Sequence, residues 1–355
     1  MKDIELLKKL SLTQGVPGRE HRVRNLVKRE IDGVFDTITI DPLGSLIAVR
    51  KPRLAKGKKP PRKTKRVMLA AHMDQIGFLV SYVTAEGRAY IVPVGGFDAR
   101  NLFARIVTVC PDPENRARDL KAVLNPATKP IHIANEDERK KIPDLSEFAL
   151  DFGIPAKDVQ KRVKIGDMVV LDAPVHILGD HVVGQAMDNR VACWIAIESC
   201  RKLRTHACEI HCVFTVQEEV GLRGAVASSY TVNPDIGIGI DTTLAVDTPG
   251  VARQDQCSRL GDGAVISVAD SSFIGDYDLV EQFEKLSKKH KIPAYRSIIR
   301  RGGTDTGGIQ RMAGGCKALT LSCPTRYIHT VTEMISVVDL RACRDLLTAF
   351  LAQAN

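Results

Sequence analysis

Four short apolar runs stand out along the chain, at 67–71, 210–216, 236–240 and 318–321. Each is bounded by polar or turn residues. They are near-continuous, broken only by polar His211 and Thr215 in the second and by glycines alternating with isoleucines in the third. A strand stays apolar along its length when both of its faces are covered, so such runs predict strands inside a mostly parallel sheet. Helical spacing lies between and after them. Residues 191–203 are apolar on most sides, as in a buried helix, and 279–289 set Leu279, Val280, Phe283 and Leu286 among charges. Leu340, Cys343, Leu347, Phe350 and Leu351 follow three- and four-residue steps and predict a C-terminal helix. Residues 1–9 read as the first turns of an amphipathic helix, with charges too frequent for a signal peptide. Strands alternating with helices make an α/β sheet.

The middle of the chain has a different period. Short alternating segments at 78–83, 89–93, 104–109 and 168–171 are separated by Gly87, Gly95, Gly96, Pro111 and Gly166, with a short helix expected at 159–163. This predicts a small all-β insert over 78–172. The α/β unit is then discontinuous, formed by 1–77 and 173–355, and two domains suit a chain of 355 residues.

Composition narrows the setting. No uninterrupted apolar window is long enough to span a membrane. Nine cysteines without a secretory signal read as reduced thiols of a cytoplasmic protein. His206, Cys208, His211 and Cys212 cluster but lack paired CxxC knuckles, so core thiols and a surface histidine are the expectation there rather than a structural zinc. The net charge of +9 comes from one segment: residues 50–66 carry ten lysines and arginines and no acid. Pro52, Gly57, Pro60 and Pro61 make it a loop that keeps its charges in water. A nucleic-acid dock is the sharper alternative, and it is not the favoured one.

Ionisable side chains collect after the apolar runs. His72 and Asp74 follow the first, Glu218 and Glu219 the second, Asp241 the third, and His329 comes a short loop after the fourth; Asp188 opens the helix that begins near residue 189. In an open α/β sheet this carboxyl edge is where ligands bind. Each residue has a plain alternative alone: a satisfied turn histidine, a solvated glutamate, a helix N-cap. Together, two histidines and three acids suit Zn²⁺ or a similar ion, and two such ions could share one carboxylate. With Glu218 and Glu219 adjacent, one can hold metal while the other faces the metal-bound water, whose pKa falls from 15.7 to about 7. Asp74 is placed to accept the second ring N–H of His72. There is no GxSxG elbow, no phosphate loop and no GxGxxG fingerprint. Gly302–Gly303 and Gly307–Gly308 flank Thr304, Asp305 and Thr306, a tight loop that lets backbone approach a substrate.

The segments AHMDQIGF (71–78), AMDNR (186–190), VQEEVGLRGA (216–225), IDTTLAVDTPG (240–250), GGTDTGG (302–308) and PTRYIHT (324–330) resemble the tetrahedral aminopeptidases, the family of the glutamyl aminopeptidases. GGFDAR (95–100), KIGDMVVLD (164–172) and DPLGSLIAV (41–49) extend the similarity over nearly the whole chain. The resemblance implies a mixed central sheet flanked by helices, the phosphorylase/hydrolase-like metallopeptidase fold, with a PDZ-like β insert that dimerises. It implies that His72 and Asp241 hold one metal, Glu219 and His329 the other, and that Asp188 bridges them ahead of a cis peptide bond. Glu218 would be general base and acid, Asp74 would orient His72, and Gly303, Thr304, Asp305 and Thr306 would meet substrate. The metals would be zinc or cobalt, with manganese possible. Substrates would be short peptides losing their N-terminal residue inside a tetrahedral dodecamer. Two positions depart from the family pattern: Gln75 replaces a common Glu, outside the ligand set, and Thr306 replaces a common Ala, which would narrow a substrate pocket. A dipeptidase or deacylase built on the same site, or a catalytically silent scaffold, are the competing readings.

Overall fold

The side chains of the strand Arg66–His72 explain why its sequence shows no polar period. Val67, Leu69 and Ala71 enter one apolar cluster, while Met68 and Ala70 enter another on the opposite face of the sheet. This is the alternation of a strand covered on both sides. Arg66–His72 lies between Glu209–Thr215 and Ile236–Leu244, which is followed by Lys317–Arg326, and all four are parallel. Each predicted run thus falls on one of these strands, with only Val216 lying just past the end of its strand. The sheet is parallel only there. Leu46–Arg50 and Thr37–Ile40 continue one side in antiparallel fashion, and Glu333–Ser336, His181–Gly184 and His176–Leu178 continue the other. Ala264–Ala269 and Ala294–Ile298 branch from Lys317–Arg326, giving eleven strands in a mixed sheet. This is a computed structural model, and it describes residues 4–354.

Helices cover both faces. Met187–Lys202, Tyr277–His290 and Val337–Gln353 bury Trp194, Phe283 and Phe350 in the larger cluster, where Phe283 and Phe350 stack at 4.6 Å. At the N-terminus Glu5–Ser11 is helical and buries Leu6, Leu7 and Leu10; the expectation for residues 1–3 lies outside the described residues. Arg223–Val232 and Asp305–Gln310 cover the other face. The Ile–Gly alternation at 236–240 belongs to this packing. A Cβ on Gly237 would stand 2.5 Å from Ile309 Cγ2, and one on Gly239 would stand 2.1 Å from Thr306 Oγ1. Glycine on that face lets the helix Asp305–Gln310 approach the strand.

The middle of the chain forms a closed antiparallel barrel. Gly77–Val83, Arg88–Val94, Phe148–Asp151, Leu120–Pro126, Arg105–Cys110 and Met168–Leu171 pair in that circular order. It has its own core, including Phe78, Ile91, Val107, Leu124, Phe148 and Leu150. The expected short helix appears as Ala156–Arg162.

Two local expectations are corrected or placed. His206 is 2% exposed, not a surface group: its backbone pairs with Arg53 and its Nδ1 lies 2.8 Å from the Cys208 carbonyl. The basic loop joins Leu46–Arg50 to Arg66–His72, so it lies at the end of the sheet opposite His72, about 20 Å away at strand rise. Lys63 there pairs with Asp235 at 3.0 Å, and Lys56, Lys58 and Lys59 are exposed.

Candidate metal centre

Parallel strands place their carboxyl ends along one edge, and the predicted site residues gather there. His72 ends its strand, Asp241 lies near the end of Ile236–Leu244, and Glu218 and Glu219 form the turn after Glu209–Thr215. His329 occupies the connection between Lys317–Arg326 and Glu333–Ser336. Asp188 stands where the helix Met187–Lys202 is interrupted: Asp188 and Asn189 have non-helical backbone angles, and the bond between them is cis. Ala186, Gln217 and His329 adopt left-handed backbone at φ of 54°, 56° and 65°. For non-glycine residues this costs roughly 1–2 kcal/mol each, and such costs concentrate at functional sites.

These side chains form two groups. His72, Asp188 and Asp241 present donor atoms within 4.8 Å of one another, and so do Asp188, Glu219 and His329. Asp188 belongs to both. Its Oδ1 is 3.3 Å from His72 Nε2, and its Oδ2 is 3.6 Å from His329 Nε2. Glu219 Oε2 is 3.5 Å from His329 Nε2, and Asp241 Oδ1 is 3.8 Å from His72 Nε2. Glu218 belongs to neither group, yet its Oε2 lies 3.8 Å from His72 Nε2. It is the acid left unclaimed.

Burial raises the carboxyl groups of Glu218 and Asp241 well above their ordinary range, and neighbouring acids push them further. Glu219 is pushed up to about 8 by burial and the charge of Asp188. Burial also disfavours the charge on Asp188, but the two facing imidazoles, His329 and His72, outweigh it and hold that carboxyl below its usual value. Burial opposes protonation of the histidines as well. Glu218, Asp188 and Asp74 outweigh this at His72, and Asp188 and Glu219 do so at His329, which rises to about 9. A set of acids this crowded calls for cations. Asp188 Oδ1 and Glu219 Oε1 are buried without a hydrogen-bond partner, as donor atoms awaiting an ion would be. Two imidazoles and three carboxylates are a fitting donor set for a borderline-hard divalent ion. The cluster opens into a cleft of about 520 Å³.

The model of the family described as M42 glutamyl aminopeptidase matches residues 54–346. The chain belongs to the M42 peptidase family. The lysyl aminopeptidase of Pyrococcus furiosus is 31% identical, over 99% of this chain and 98% of that protein. Among solved structures, an aminopeptidase from the archaeon Desulfurococcus kamchatkensis superposes with a TM-score of 0.91 at 33% identity, covering 100% of this chain and 95% of that one. The TET1 peptidase of Pyrococcus horikoshii, which can assemble into a tetrahedron or a large octahedral shell, gives a TM-score of 0.84 at 28% identity, covering 99% of both chains. This M42 peptidase is therefore a hydrolase of the aminopeptidase type, and its family carries divalent metals.

Several details of the M42 site depart from the sequence reading. Asp74 is placed differently around His72. The ring's Nδ1 is 3.1 Å from the Asp74 carbonyl oxygen and 3.5 Å from its carboxylate. The carboxylate instead accepts the backbone N–H groups of Glu218 and Glu219, both at 3.1 Å, and ties that turn to the His72 strand. Gly303 and Thr304 line the cleft, but Asp305 and Thr306 do not. Asp305 is buried and accepts from Thr215 Oγ1 at 2.5 Å. Thr306 is wholly buried, and its hydroxyl bonds Thr320 Oγ1 at 2.6 Å, so its size acts on packing and not on a substrate pocket. Gln75 accepts from Arg190, a buried guanidinium that also donates to the carbonyls of Leu10 and Thr13.

One participant is absent from the sequence reading. Glu333 is buried, with Oε2 accepting the Asp188 N–H at 3.0 Å and Oε1 the His329 N–H at 2.7 Å. Burial and the charge of Asp188 push it up to about 8. Its only signal in the sequence is an acid four residues after His329 in an otherwise buried strand.

Proposed function

We propose that this M42 peptidase removes the N-terminal residue from short peptides, using two divalent cations, zinc or cobalt, with manganese as a further candidate. The observation that carries this reading is the sharing of Asp188 by two ligand groups, with Glu218 beside them and outside both. His72 and Asp241 would hold one cation, Glu219 and His329 the other, and Asp188 would bridge. When bound, such ions lower the pKa of water and polarise a carbonyl. Glu218, poised on the cleft and outside both ligand groups, would take the proton from the attacking water and deliver it to the leaving nitrogen. Asp74 fixes the turn that presents both glutamates. Gly303 and Thr304 line the cleft where the peptide lies.

The test is Glu218→Gln. Its metal content should match wild type, while turnover of aminoacyl-anilides falls about 10²- to 10⁴-fold. Wild-type turnover at equal metal content would overturn the assignment. An N-acetylated peptide separates the alternatives, because an aminopeptidase leaves it intact and a deacylase does not.

Three further proposals rest on family likeness. Residues 78–172 form an inserted, PDZ-like dimerisation domain, with 1–77 and 173–355 as the catalytic domain. The chains assemble into a tetrahedral dodecamer, a reading supported by the Pyrococcus horikoshii TET1 peptidase, which can itself assemble into a tetrahedron. The protein works in the cytoplasm, a setting supported by nine free cysteines, seven of them buried. Among the described residues, no helix is long and apolar enough to cross a membrane.

A further inference from the structure

Family membership leaves the preferred N-terminal residue open, since both glutamyl and lysyl names occur among relatives. The cleft narrows it. Beyond the metal cluster, two charged side chains line its wall, Asp270 and Arg301. Asp270 is committed to the protein. Its Oδ1 accepts Ser272 N–H at 2.6 Å, Ser272 O–H at 2.7 Å and Phe273 N–H at 3.1 Å, and its Oδ2 accepts the Thr304 hydroxyl at 3.0 Å. Four donors hold this carboxylate in place, three on Oδ1 and one on Oδ2, so Asp270 builds the wall that carries Thr304. Arg301 is the opposite case. It is exposed on the turn before Gly302–Gly303, and it makes no hydrogen bond or ion pair among the described residues. Leu244, Ile299 and Ile328 line the same cleft and offer apolar surface to a short aliphatic stem.

From this we infer that Arg301 makes the cleft selective for peptides whose N-terminal side chain ends in a carboxylate, glutamyl or aspartyl. The inference rests on the aminopeptidase reading above. A guanidinium presents a planar fork of donors that matches a carboxylate in two parallel hydrogen bonds. An amide of the same shape gains less, and a lysyl ammonium meets like charge at Arg301.

The experiment compares kcat/KM of the metal-loaded enzyme on glutamyl-, glutaminyl- and lysyl-anilides. These substrates lack a C-terminal carboxylate, so preference for glutamyl over glutaminyl reports the side chain alone. That preference should be about tenfold, carried by KM, and should shrink as salt rises. Arg301→Gln should bring it near unity, and Arg301→Glu should place lysyl above glutamyl. Equal or better use of glutaminyl-anilide by wild type, or a preference unchanged in Arg301→Gln, overturns the inference while leaving an aminopeptidase. Failure to cleave any of the three overturns the aminopeptidase reading and the inference with it.

Discussion

Glu333 touches no part of the cleft, yet it joins the two backbone segments that carry Asp188 and His329 by taking one N–H from each. Substitution by Gln keeps the shape but turns one acceptor into a donor facing a backbone N–H. One buried donor is then unpaired, at a cost of about 1–3 kcal/mol, and the ligand backbones lose their common anchor. Metal affinity of Glu333→Gln should fall about 10- to 100-fold, the range found when groups supporting metal ligands are lost. Competition with a chromogenic chelator measures this, and wild-type affinity would show that the contact is dispensable. At this scale the sequence is informative where chemistry follows a strand. His72, Asp188, Glu218, Glu219, Asp241 and His329 stand out because acids and histidines recur after apolar runs, and the fold brings all six to one edge. Glu333 gives no such signal, because its partners are backbone groups distant in the chain. The motif around Thr306 suggests a loop open to substrate, whereas the hydroxyl turns inward to Thr320.

Among the elements, the central strands and four of the six barrel strands are legible, and the shorter or more mixed ones are not. A strand covered on both faces announces itself as an apolar run, as Arg66–His72 does. Leu120–Pro126 alternates buried Leu120, Ala122 and Leu124 with exposed Lys121, Val123 and Asn125, too short and mixed to stand out from a loop. Phe148–Asp151 has only four residues. The helix His21–Glu30 hides its buried Val23, Leu26 and Val27 among seven polar or charged residues. The Ile–Gly alternation at 236–240 is plain in the sequence, but its cause is tertiary. Because a Cβ on Gly239 would stand 2.1 Å from Thr306 Oγ1, Gly239→Ala should destabilise the protein by about 1–3 kcal/mol. Thr306→Ala removes that oxygen and should recover much of the loss in the double variant. Chemical denaturation of the two single variants and the double forms the cycle; additive effects would mean that the strand and the helix Asp305–Gln310 do not meet at this point.

Across the molecule, charge is sorted to opposite ends of the sheet: a cationic loop at the amino ends of the parallel strands and an acidic cluster at their carboxyl ends. The cluster makes stability depend jointly on pH and metal. Glu219 and Glu333 rise from an ordinary 4.5 to about 8, and His329 rises from 6.5 to about 9. A group that binds its proton more tightly when folded stabilises fully below its unfolded pKa, and that contribution is lost as pH climbs through the folded value. All three therefore act in the same direction, so the metal-free protein should lose stability from pH 6 to pH 9. Asp188 has the opposite sign, but its window lies below 3.8, outside this range. Bound cations would replace the protons of the ligands Glu219 and His329, and deprotonation strengthens their binding as pH rises. The difference in Tm between metal-loaded and chelator-treated protein should thus widen between pH 6 and pH 9 in scanning calorimetry. An equal difference at both pH values would mean that Glu219 and His329 do not exchange protons for metal.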